Sequence, residues 1–334
     1  MLKDWKIAPR RTAAVALLLV VVLLTAIGGS ASATLVPNTP TPNGSAPSKA
    51  TDEVTTTLPP PDIPTTNQQG YTFDLKTSLK VDLDSVAKES PVYKLNKTAP
   101  TAKTAQKMVD ALKIKAKVED GGDGTFRASG DGGNFFVSSD VMQFSSSAAI
   151  ADGKLSKDAD AIDQAREWLR TTGLLPTDIG DGKVVSRVDE TKRLTVQFAP
   201  ATPDNVLSAT PSITVTEGPG GQVLEAAIRW AHVTRVDVYQ LMPAKQAWQI
   251  IQSGVAYVET DLSSTKIAPG SVVKGRATYN SVTIAYASSG AQGSDQFLQP
   301  IYVFAGTLTV EGQSGTYPIK TYVPALANSG APVG

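Results

Sequence analysis

The chain has 334 residues, enough for one large or two ordinary domains, and its 31 lysines and arginines balance 31 aspartates and glutamates. With no net charge it offers no overall field to gather nucleic acid or an acidic substrate. Cysteine is absent and histidine occurs once, as His232, so disulfides, thiolate metal sites, cysteine nucleophiles and multi-histidine zinc centres within one chain are excluded.

At the N-terminus, Lys3, Lys6, Arg10 and Arg11 precede an uncharged run with the apolar heart AAVALLLVVVLLTAI, residues 13–27. Basic residues before an apolar core predict an N-terminus in the cytoplasm and an exported remainder. Residues 12–27 are expected to anchor the chain as a single-pass membrane helix. The sequence SASA at 30–33 keeps a second outcome open, a signal peptide cleaved after Ala33 and a secreted product. Residues 1–33 are therefore the anchor or signal segment.

Residues 34–70 are rich in proline, threonine and serine and almost free of large apolar groups. Such a stretch buries too little surface to offset its ordering entropy, which predicts a disordered linker. The folded, extracytoplasmic part is expected over 71–326, with 327–334 as a tail.

Three short helices are expected in that part, at TAQKMV (104–109), QAREWL (164–169) and QAWQII (246–251). Each sets alanine three and four positions before two apolar residues, which makes one apolar stripe at helical spacing. Its plainest role is to dock the helix onto a sheet. Downstream of each lies a paired-glycine segment: SGDGGNF at 129–135, EGPGGQV at 217–223 and EGQSGTY at 311–317. Glycine takes the positive φ that hairpin turns require, so each is expected to join two antiparallel strands. The fold class read from this pattern is α+β. Helix-plus-antiparallel-hairpin units would repeat at about 91–150, 155–240 and 241–326.

Residues with chemical potential are few. His232, in RWAHVTRV, could join Asp237 and a serine, but no Gly-x-Ser-x-Gly elbow occurs, and a partly buried or surface histidine is the simpler reading. The acidic glycine loops at 119–124 and 130–133 resemble calcium loops in composition but not in ligand spacing, so solvated turns are the default reading and calcium a weak alternative. Asp178, Asp181, Asp189 and Glu190 could supply a carboxylate pair, a weak signal because acids are common and spacing alone does not bring two of them together. Trp168, Trp230 and Trp248 fit core packing. No cofactor or metal is expected.

The stretch LQPIYVFAG, residues 298–306, carries bulk on both alternating faces, with Ile301 and Val303 on one and Tyr302 and Phe304 on the other. It is expected to be a core strand first and an interaction surface second. Tyr302, Phe304 and Tyr322 are its candidate partner contacts.

Over about 91–326 the chain resembles the YycH/YycI-type regulators and the wider PepSY-like group. The likeness is architectural. It rests on Ala165, Trp168 and Leu169, on Ala247, Ile250 and Ile251, and on the strand at 300–306 followed by 322–326. The resemblance implies a non-enzymatic, membrane-tethered module that modulates a sensor histidine kinase or another envelope protein. PepSY-like inhibition or chaperoning of a secreted peptidase is the alternative, and a carboxylate-dependent hydrolase is a third.

Overall fold

The computed structural model describes residues 58–63, 70–289 and 296–327. In chain order the elements are β1 Thr72–Leu79, β2 Glu89–Asn96, α1 Ala102–Ala111, β3 Glu119–Gly122, β4 Thr125–Gly130, β5 Gly133–Val137 and β6 Met142–Ser146. Then come α2 Asp158–Thr171, β7 Ile179–Val188, β8 Arg193–Pro200, β9 Ser212–Glu217, β10 Val223–Arg229 and β11 His232–Gln240. The last are α3 Ala244–Gln252, β12 Tyr257–Thr260, β13 Val272–Ser289, β14 Gln296–Val310 and β15 Tyr317–Pro324.

This architecture corrects the α+β expectation. Among the described residues the helices have only 10, 14 and 9 residues, and the strands join into two large sheets rather than repeated helix-plus-hairpin units. The local predictions are sound, because the three glycine segments do turn between the paired strands β4–β5, β9–β10 and β14–β15. What the periodicity does not carry is how those hairpins merge into continuous sheets.

One sheet has eight strands, β3-β4-β5-β6-β10-β9-β8-β7, and every neighbouring pair is antiparallel. It is an insertion. The strands on either side of it in the chain, β2 and β11, pair with each other from His232 opposite Asn96 to Gln240 opposite Glu89. Helices α1 and α2 cover one face, where Ala105, Val109, Ala165 and Leu169 meet Phe135, Phe144, Val196, Phe198 and Val215. Alanine at the contact lets each helix axis approach the sheet, and the apolar partner one turn later fills the remaining space. The ends are set locally: Thr101 and Thr104 form a reciprocal capping box at α1, and Gly173 leaves α2 at φ 68°.

The other sheet has seven strands. Its main path is β1-β13-β14-β15-β12, with β2 pairing both β11 and β14, and β1 runs parallel to β13. The two long strands β13 and β14 have 18 and 15 residues. On one face Tyr302, Phe304, Leu308 and Val310 pack with Ala247 and Ile251 of α3. On the other, Ile301 and Val303 pack with Ala285, Ala287, Tyr322 and the distant Ile63. Both faces of β14 are thus buried, as its two-sided bulk requires, and its exposed positions are Thr307 and Thr309 near the hairpin.

The linker reading needs correction at its end. Asp62 donates its N–H to the Ser288 carbonyl at 2.7 Å, Pro61 bridges Ser289, and Ile63 is buried. Residues 58–63 therefore belong to the packed body. The membrane-helix expectation also finds no support: among the described residues no helix is long and apolar enough to cross a membrane, and residues 12–27 lie outside them.

Candidate functional site

The three aromatic residues expected to meet a partner are interior. Tyr302 and Phe304 have no exposed surface and Tyr322 has 2%. The Tyr302 hydroxyl donates to the Met242 carbonyl at 2.7 Å, and burial pushes its pKa up to about 12. Phe304 sits in a ring cluster, 6.0 Å from Trp248 and 6.3 Å from Tyr279. The Tyr322 hydroxyl bonds to the Glu259 carboxylate, and burial, reinforced by that carboxylate, raises its pKa. All three hold the seven-stranded sheet together and present no contact surface.

The catalytic candidates do not assemble either. His232 is exposed and its Nδ1 lies 3.5 Å from Asp178, not Asp237, whose carboxylate accepts the Val238 N–H at 2.7 Å. Asp178 and Asp181 lie at the start of β7, and Asp189 and Glu190 just beyond its end. Seven strand residues lie between Asp181 and Asp189 and hold the two pairs about 25 Å apart, far more than the roughly 5 to 10 Å that flanks a scissile bond. The acidic glycine loops are strand ends and turns, with Asp120 accepting the Gly122 N–H at 2.8 Å. Among the described residues no three histidine, aspartate or glutamate side chains are grouped to hold a metal.

The surface with the most organised chemistry is the helix-free face of the eight-stranded sheet. The inner strands alternate, so that in β5 Phe135 and Val137 enter the core while Asn134 and Phe136 face outward. Strand register lines the outward residues into two ladders. One runs Arg127, Phe136, Gln143, Ala227, Thr214, Gln197, and the other Ser129, Asn134, Ser145, Glu225, Thr216, Thr195. Steps of about 4.8 Å separate successive members.

Several members fix one another. Ser129 donates to Asn134 Oδ1 at 2.6 Å, the hydroxyls of Thr195 and Thr216 lie 3.0 Å apart, and Arg193 bonds Glu225 at 2.5 Å. A shallow cavity of about 340 Å³ opens over the middle, lined by Phe136, Gln143, Thr214, Thr216 and Glu225 among others. A second, of about 620 Å³, shares Asn134 and Phe136 and extends to Lys115, Lys117 and Arg127. Phe136 is 36% exposed, with its ring at the junction of the two. The sequence signal for this face is the alternation in TFRASG, GNFFV and MQFSS. A search for catalytic motifs passes over it, because hydroxyls and amides in strands carry no motif.

Glu217 is the other unusual group. It is 1% exposed, neither carboxylate oxygen has a partner, and burial pushes its pKa up to about 7. It follows Ile213 and Val215 on the helix side of β9, and neither cavity on the outer face is lined by it.

No protein-family model and no curated protein matches the chain. Solved structures resemble it, among them two weak likenesses. One, an uncharacterized protein from Eubacterium rectale, is 9% identical with a TM-score of 0.41, covering 76% of this chain and 87% of that one. The other, the Bacillus megaterium YpeB C-terminal domain, is 13% identical with a TM-score of 0.31, covering 70% of this chain and 95% of that one. Likenesses at this level transfer neither fold nor activity, and the YycH/YycI resemblance gains no sequence match. The functional reading therefore rests on the chain's own surfaces.

Proposed function

We propose that this protein is a non-enzymatic, extracytoplasmic binding protein whose docking surface is the outer face of the eight-stranded sheet. The observation that carries the reading is the pair of side-chain ladders across β4, β5, β6, β10, β9 and β8, open to solvent and centred on the 340 Å³ cavity. Export is supported by the basic residues that precede the apolar run 13–27. The test is retention of the full chain by isolated cell envelopes of the producing cell. Phe136→Ala lowers retention while Tyr257→Ala, on the other sheet, leaves it unchanged; equal retention of both variants overturns the reading.

A second reading is regulation through a protein partner, a sensor histidine kinase or a secreted peptidase. One observation favours it: β7 forms a sheet edge ten residues long, with Val185 48% and Val188 39% exposed. An unpaired edge can accept a partner strand. Val185→Lys then abolishes the effect of the purified protein on kinase autophosphorylation or peptidase turnover. Where the wild-type chain alters neither, this second reading fails.

A further inference from the structure

We infer that the outer face of the eight-stranded sheet binds an anionic glycan of the uronate type, with a sugar ring on Phe136 and its carboxylate groups against Lys115, Lys117 and Arg127. The inference rests on the proposed docking role of this face and names its ligand class.

The chemistry of the ladders selects a hydroxyl-rich ligand. Around Phe136 stand two amides, Asn134 and Gln143, three hydroxyls, Ser145, Thr214 and Thr216, and one carboxylate, Glu225. Amide and carboxylate groups pair with adjacent hydroxyls on a ring, hydroxyls both donate and accept, and an exposed aromatic face covers the C–H side of a pyranose. The register repeats these groups along each ladder, and six members span about 24 Å, long enough for several linked sugar rings.

The same face suits a peptide poorly. Its strands are interior ones, so their N–H and C=O groups are already committed to neighbours on both sides and cannot add a strand. Phe136 is the lone large apolar side chain in the two ladders, so a peptide finds no pocket for its own apolar residues.

The basic end selects an anion. Lys115 reaches Asp131 only at 3.9 Å and Arg127 reaches Glu119 only at 3.8 Å, with all four side chains well exposed. Pairs of that kind are worth little and open readily for a better partner. Lys117 lines the same cavity, and Arg127 stands directly across from Phe136 in the β4–β5 register. A carboxylate on a ring stacked at Phe136 thus has a planar guanidinium beside it, the donor geometry that carboxylates prefer.

The experiment is calorimetric titration of the full chain with oligosaccharides of hyaluronate and of polygalacturonate, with dextran and poly-glutamate as neutral-glycan and acidic-peptide arms. The expected result is binding of at least one anionic glycan and of neither control. Phe136→Leu, which keeps bulk but removes the ring, weakens that binding about tenfold, and Lys115→Gln with Lys117→Gln weakens it similarly and flattens its salt dependence. Absence of binding to both anionic glycans, equal binding of poly-glutamate, or unchanged affinity in Phe136→Leu overturns the inference. If envelope retention still depends on Phe136 while the glycans do not bind, the ligand class is wrong and the docking face stands.

Discussion

Gly306 lies so close to Thr278 that a Cβ built on it would sit 2.0 Å from the Thr278 carbonyl oxygen. The contact falls where the β13–β14 register shifts, between Tyr279 and Ser281, so the two long strands depend on a hydrogen at this position. Gly306→Ala forces the backbones apart at this half-buried crossing of the two longest strands. The expected loss is about 3 kcal/mol in a denaturant titration, and a variant as stable as the parent sinks the account.

Tyr302 separates packing from hydrogen bonding. Tyr302→Phe keeps the ring but removes the donor to the Met242 carbonyl, which costs about 1 to 2 kcal/mol. Tyr302→Ala also empties space beside Phe304 and costs about 3 to 5 kcal/mol. Equal losses in the two variants, measured by thermal melting, contradict the assignment of this residue to the core.

Local spacing made part of the fold legible. The stripes Ala105–Val109, Ala165–Leu169 and Ala247–Ile251 are buried because helix geometry brings positions four apart onto one face. The glycine turns are legible because few other residues take their φ. The sheet order is not legible, since Thr72 pairs with Val272 and Asn96 with His232 across long stretches of chain that no local pattern encodes. Tyr302 and Tyr322 were misleading for a related reason: an aromatic in a strand has the same signature whether its face is open or covered. Here α3 covers one face and residues 58–63 help to cover the other. The docking face was written in the alternation of β4, β5 and β6, but only their register with β10 and β9 turns single polar residues into ladders.

Asp178 joins the insertion to its root. Its Oδ1 accepts the Trp230 Nε1–H at 3.0 Å, where β10 leads into β11, while Oδ2 lies 3.5 Å from His232. Asp178→Ala leaves the half-buried indole N–H without this acceptor, with an expected loss of about 1 to 2 kcal/mol and a change in tryptophan emission. His232→Ala, which removes only an exposed contact, changes stability by less than about 0.5 kcal/mol. A larger effect at His232 than at Asp178 reverses this ranking.

Glu217 makes stability depend on pH through one residue. Its carboxyl has a pKa of about 7 when folded against an ordinary value of 4.5, so between those values the folded protein holds a proton that the unfolded chain has released. Stability from this group is full below about pH 4.5, falls as the pH rises through the window, and is lost above about pH 7, where the charge is buried without a partner. The difference amounts to about 3 kcal/mol. Glu217→Gln carries no charge at any pH, so the variant matches the parent at pH 4.5 and exceeds it by up to that amount at pH 8. Paired denaturant titrations at the two pH values provide the check, and a parent-to-variant difference that is the same at both removes Glu217 as the cause.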